Sequence, residues 1–148
     1  MKEPLLISAC LLGLHCRYDG KSKPWDKDDL NKLAQKYWLI PVCPEQLGGL
    51  TTPREPAERC ADRFVTKTGK DVTEQYQRGA EEVLRLAKMF DCKQALLKEK
   101  SPACGAGRIY DGSFTKTLTE GNGAAADLLL NNGIDVYGES RIGELLDK

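Results

Sequence analysis

No run in this chain approaches the roughly 18 apolar residues that a spanning helix requires, so no membrane-crossing helix is expected. An excess of charge is also missing: 22 basic and 22 acidic residues cancel. That balance argues against a strong non-specific hold on nucleic acid or on an anionic membrane, although a few local cations could still grip a small anion. Histidine is nearly absent, with His15 the single one. No two of the six cysteines are spaced Cys-x-x-Cys, which removes the usual spacing of a structural zinc site. Repeats, low-complexity tracts and linker-like stretches are lacking as well, and 148 residues at 41% hydrophobic suit one domain, 1–148, with a real core.

The start, MKEPLLISAC, imitates an export signal, and ISAC resembles a lipoprotein cleavage box. The apolar run before Cys10 covers only residues 5–9, however, and export segments use about 7–15. A first core strand and a cytoplasmic location are expected instead. In a reducing compartment the cysteines are not a disulfide framework. They are inert core thiols, metal ligands or a nucleophile.

Short apolar runs at 5–9, 38–42, 95–98 and 135–137 predict strands. Helical spacing is found over 28–37, 73–89, 124–130 and 142–146. The second of these places Tyr76, Ala80, Val83, Leu84 and Ala87 on one face, with Asp71 suited to cap its start. Strands alternating with helices predict an α/β fold: a single three-layer domain with a mainly parallel, Rossmann-like sheet. Residues 44–70 are the least regular part, and an excursion of that length in a small domain is usually functional.

The cysteines fall into a pattern on that scheme. Cys10 and Cys43 each follow a predicted strand, and Cys104 lies in the loop after a third. The carboxyl ends of parallel strands share one edge, where ligands bind. Three thiols remote in sequence should therefore converge there. Pro44, Gly48 and Gly49 shape the loop after Cys43, and Pro102, Gly105 and Gly107 that around Cys104. Any single buried cysteine is an ordinary small hydrophobe. Three at strand ends beside Pro or Gly point to a soft metal centre, iron–sulfur clusters being the usual cysteine-held case. Cys92 belongs to the opposite edge, and Cys60 lies in the irregular, charged region.

The stretches SACLLGLHCRYDG (8–20), PVCPEQLGGLTTPREPAE (41–58), LLKEKSPACG (96–105) and IYDGSF (109–114) resemble the thiouracil desulfurase (desulfidase) family. The likeness runs from Ser8 to GIDVYGE at 133–139, with Ala103 standing where serine would equally be expected. It implies a [4Fe-4S] cluster held by Cys10, Cys43 and Cys104, whose unique iron binds the sulfur of a thiolated pyrimidine. It also implies a hydrolytic, non-redox reaction in which water replaces sulfur, giving uracil and sulfide. Glu45 and Ser101 occupy the positions the resemblance carries over as catalytic. Glu45, two residues from a ligand, would serve as base, its plainer reading being a solvated loop charge. Ser101 would donate a hydrogen bond or pass a proton, its plainer reading being a turn residue before Pro102.

Other residues rank lower. Cys16 could be a thiol supporting the ligands or a second nucleophile, but reads as structural, because six residues is a long reach from Cys10 within one loop. His15 reads as a loop side chain, and Arg17, Tyr18 and Asp19 as braces of the first loop. Arg54, Lys98 and Lys100 could hold a phosphate if the substrate is a nucleotide, each being otherwise an exposed charge. The helix start at Gly121-Asn122-Gly123 could bind an anion, although the full phosphate-loop pattern is missing. Two further functional classes share the cysteines: a cluster- or thiol-based sensor without turnover, and a desulfurase acting on thiolated tRNA. The zero net charge counts against the latter.

Overall fold

Successive residues of a strand point to opposite faces of a sheet. Accordingly Leu5 and Ile7 enter one buried cluster while Leu6 enters another. That split organises the molecule. The computed structural model describes residues 2–148. In chain order the elements are β1 (Glu3–Ser8), α1 (Lys27–Lys36), β2 (Tyr37–Val42), α2 (Pro44–Leu47), β3 (Ala57–Cys60), β4 (Arg63–Thr66), α3 (Thr73–Met89), β5 (Gln94–Leu97), β6 (Arg108–Tyr110), β7 (Leu118–Glu120), α4 (Ala124–Asn131), β8 (Asp135–Gly138) and α5 (Ile142–Leu146). A 3-10 turn over Ala9–Leu12 follows β1.

Four strands form one parallel sheet in the order β2-β1-β5-β8. β1 lies between β2 and β5, so the strand order reverses direction beside it. That reversal opens a crevice at the carboxyl edge. α3 and α4 cover one face, burying Val83, Ala87, Ala126 and Leu129 against Leu6, Ala95 and Leu97. α1 and α5 cover the other, burying Leu33, Ile142 and Leu145 against Leu5, Ile7 and Leu96. The expected layers and parallel sheet are therefore present. Among the described residues no helix is long and apolar enough to cross a membrane.

Local chemistry sets the element ends. The Asp26 carboxylate accepts the Asp29 N–H at 3.0 Å and starts α1. Asp71 accepts the Thr73 N–H at 2.9 Å at the start of α3, as its position in the sequence suggests. Tyr37, which carries helical spacing, instead opens β2, and its hydroxyl donates to the Leu145 carbonyl at 3.1 Å. Ala9 leaves β1 for the 3-10 turn.

Residues 44–70 contain α2 and the antiparallel β3–β4 hairpin. A second hairpin pairs β6 with β7. Their strands are three or four residues long and each includes a charged residue, so they carry little apolar alternation. α2 is set against α3 through two glycines. A Cβ on Gly79 would collide with the Pro44 carbonyl, and one on Gly48 with the Gln75 carbonyl. This backbone approach seats the residues that follow Cys43.

Gly79→Ala should cost roughly 1–3 kcal/mol or more, because the obstacle is backbone and cannot yield as a side chain would. Gly143→Ala in α5, where a Cβ meets nothing, should be neutral or mildly stabilising. Thermal unfolding of the two variants checks the contrast; equal melting points would refute the close packing.

Candidate functional site

The parallel ladder delivers three segments to one edge. Ser8 ends β1 and Cys10 sits in the 3-10 turn beyond it. Cys43 follows β2 directly, and Lys98 follows β5. A cleft of about 540 Å³ opens there, lined by Cys10, Cys43 and Cys104 together with Glu45 and Ser101. The structure thus gathers the five site residues expected from the sequence around one cavity. Its outer wall comes from the two hairpins, through Glu58, Tyr110 and Phe114 among others.

Each thiol is presented by a shaped turn. Cys43 is extended at φ −129° and Pro44 begins α2, where its fixed φ suits the first helical position. The Ser101 hydroxyl oxygen accepts the N–H groups of Ala103 and Cys104, each at 3.1 Å. Ser101 is therefore a turn residue, as its neighbour Pro102 suggests, and also a wall of the cleft. Its hydroxyl and that of Ser8 lie on the Cys104 side of the cleft and favour the ionised form of that thiol. Ser8 further accepts the Lys98 N–H at 2.8 Å, tying β1 to the segment that carries Cys104. Sequence reading passes over Ser8; a small polar residue ending an apolar strand is the available signal.

The start of α4 seals the same turn. The N–H groups of Gly123, Ala124 and Ala125 donate to the carbonyls of Gly105, Pro102 and Ala103 at 2.7–2.9 Å. These amides are satisfied within the protein, which overturns the expectation of an anion site at this helix start. Gly123 is needed for the approach, since a Cβ would strike Ala103.

Cys16 departs from expectation. It lines the cleft beside Cys10 and Cys43, whose thiols act on its pKa, and the Cys43 thiol donates to the Cys16 carbonyl at 3.6 Å. Six residues suffice for the reach because Gly13, at φ +98°, turns the loop back after the 3-10 turn. Protonation follows from these surroundings. The hydrogen bond to Cys16, then burial, raise the Cys43 pKa. Burial pushes Cys104 up to about 12 against the pull of its two serines. The Cys43 and Cys104 thiols are accordingly neutral at neutral pH, and a bound cation must displace their protons.

Glu45 is held on both oxygens. Oε1 pairs with Arg54 Nη2 at 3.3 Å, and Oε2 accepts the Tyr76 hydroxyl at 2.6 Å. The side chains of Arg54 and Glu45 are 6% and 16% exposed, so water screens the pair weakly. Arg54 also donates to the carbonyls of Cys16 and Thr51 and to the Thr52 hydroxyl. Arg54 is therefore neither an exposed charge nor a phosphate grip, contrary to the sequence reading. Burial, then the Glu45 charge, raise the Tyr76 pKa and keep it a neutral donor. Its ring stacks on Phe64 at 4.8 Å.

Lys98 lines the cleft but is tethered to Glu139 at 2.8 Å. Lys100 also lines it, as do Lys23, Lys67 and Lys116, which sequence reading leaves unplaced. His15 is exposed and outside the lining. Cys92 lies before β5 at the opposite edge, with its pKa raised to about 11 by burial. The Cys60 thiol donates to the Gly112 carbonyl at 3.8 Å, joining the two hairpins.

Among the described residues no three His, Cys, Asp or Glu side chains crowd together tightly enough to share one metal ion. A multi-iron core is larger than an ion and needs soft donors spread around a cavity. Four cysteines, Cys10, Cys16, Cys43 and Cys104, on the walls of one cleft, without a histidine among its lining, fit that requirement.

Comparison with known proteins agrees with this geometry. A Bacillus subtilis (strain 168) protein named only as uncharacterized protein YbbK is 39% identical, over 96% of this chain and 99% of its own length. A solved structure described as the [4Fe-4S]-dependent thiouracil desulfidase TudS is 46% identical and superposes with a TM-score of 0.93, covering 97% of this chain and 95% of that one. Residues 5–141 match the model of the 2-thiouracil desulfurase family, and the chain belongs to that family.

Proposed function

We propose that this protein is a [4Fe-4S]-dependent thiouracil desulfidase that replaces the sulfur of a thiolated pyrimidine with oxygen from water. The observation that carries the reading is the single cleft shared by Cys10, Cys43, Cys104, Glu45 and Ser101. Cys10, Cys43 and Cys104 would hold the cluster. When bound with one iron free of cysteine, it supplies a soft Lewis-acid position for a thiocarbonyl sulfur and draws electron density from the ring carbon.

The overall change is thiocarbonyl plus water to carbonyl plus hydrogen sulfide, with no net oxidation or reduction. The side chains divide the remaining work. Glu45 takes a proton from the attacking water at whichever oxygen Arg54 and Tyr76 leave accessible. Arg54 keeps a positive charge beside it, and Tyr76 fixes its direction. Ser101, whose oxygen accepts two amides, would donate its hydrogen toward the leaving sulfur or the ring. The lysines at the cleft that lack a carboxylate tether, Lys23, Lys67, Lys100 and Lys116, suit a substrate with an anionic substituent such as a nucleotide phosphate. A cleft of about 540 Å³ suits a small molecule better than tRNA. All six cysteines are free, which accords with a cytoplasmic protein whose domain spans 1–148.

Anaerobic reconstitution with iron and sulfide should give a brown protein that releases sulfide from 2-thiouracil. Cys43→Ala should remove both colour and activity; full activity in a colourless, metal-free sample would defeat the reading. Glu45→Gln should keep the visible spectrum and lower kcat by about 10²–10⁴-fold. An unchanged rate would leave a sensor or binding module in its place. Tyr76→Phe should lower kcat roughly tenfold with KM and colour unchanged, since one hydrogen bond to a carboxylate is lost. Comparing turnover of free base, mononucleotide and tRNA fixes the size of the substrate.

A further inference from the structure

The turn between β6 and β7 holds a bulky residue in a conformation such residues avoid. Phe114 has φ +58°, in the left-handed region. For a residue of this size that is an outlier, which persists only where its surroundings enforce it. The enforcement is visible. Glu58 is 8% exposed, and its Oε1 accepts the N–H of Gly112 at 2.9 Å and of Phe114 at 3.1 Å. Gly112, at φ +95°, packs so closely on Cys60 that a Cβ would strike its sulfur. Two unlike residues of β3 thus grip one turn of the neighbouring hairpin.

The result of this constraint faces the cleft. Phe114 is half-buried and lines the same cavity as the three thiols. Among the described residues its ring has neither an aromatic nor a cationic partner. Of the two other aromatic side chains of the cavity, one pairs with a cation. The Tyr18 ring does so with the Arg17 guanidinium, which it faces at 5.6 Å, whereas Tyr110 lines the cavity from the regular ladder of β6 and is not fixed by a turn as Phe114 is. A pyrimidine whose sulfur points toward the thiols needs a flat apolar partner for its face, and ring stacking supplies one without regard to substituents.

We propose that Phe114, held by Glu58, stacks on the pyrimidine ring and sets the preference of the cleft for planar heteroaromatic substrates. The proposal rests on the desulfidase reading for the substrate class. On this view Cys60 and the IYDGSF stretch form the scaffold that holds the ring in place.

The test uses the reconstituted holoenzyme and two readouts, the KM and kcat for 2-thiouracil and the Kd of the product uracil by equilibrium dialysis. Phe114→Ala should raise both KM and Kd about tenfold while kcat stays within about threefold. Phe114→Tyr should restore both constants and Phe114→Leu should not. Glu58→Ala should reproduce the rise in KM. An unchanged uracil Kd in Phe114→Ala, or leucine serving as well as tyrosine, overturns the proposal. If the wild type binds uracil through Phe114 yet frees no sulfide, stacking stands and the desulfidase reading falls.

Discussion

The site depends on β1 pairing in parallel with a neighbour on each side. Its ladder to β2 aligns Ser8 with Val42, so the residues that follow, Cys10 and Cys43, leave the sheet together. Its ladder to β5 brings Lys98 to the Ser8 hydroxyl, and the turn bearing Cys104 comes with it. No thiol needs a long loop to reach the others. A slip of one residue in either ladder would turn core side chains to the wrong face, so burial of Leu5, Leu6 and Ile7 fixes the register of the site as well.

A second constraint places the carboxylate. α2 is only Pro44–Leu47, too short to be stable alone, and is held by its glycine contact with α3. The same helix α3 provides Tyr76, which binds Glu45. Packing and chemistry thus use one surface: the contact that seats α2 also brings the tyrosine within reach. Arg54 closes the arrangement from the loop beyond, linking Glu45 to the carbonyl of Cys16. Removing either partner would leave a poorly solvated charge, which is why the pair belongs to the site rather than to the surface.

Around this core the hairpins serve as walls. They bury Phe64 and Ile109, but the sheet does not need them for its own ladder. Beyond the Phe64 stack on Tyr76, the contacts that join them are polar and specific: Glu58 to two amides of the β6–β7 turn, Cys60 to Gly112, and Arg59 to the Asn122 carbonyl at 2.6 Å. Such contacts fix direction more than they add stability. They fit an outer wall that has to keep one shape around a cavity.

Most of the sheet was legible because buried parallel strands read as short apolar runs and covering helices as a 3.6-residue period. Residues 73–89 and 142–146 match α3 and α5 end to end. The hairpins were not legible, since AERC and RFVT are interrupted by charge and too short for a pattern. Sequence alone determined the strand ends that carry Cys10, Cys43 and Cys104, because hydrophobic periodicity is a local property. Only tertiary structure decided that Cys16 turns back onto Cys10 and Cys43, that Arg54 pairs with Glu45 rather than a phosphate, and that the start of α4 caps the Cys104 turn. Those are contacts between segments distant along the chain, and no local pattern encodes which buried charge or amide will find which partner.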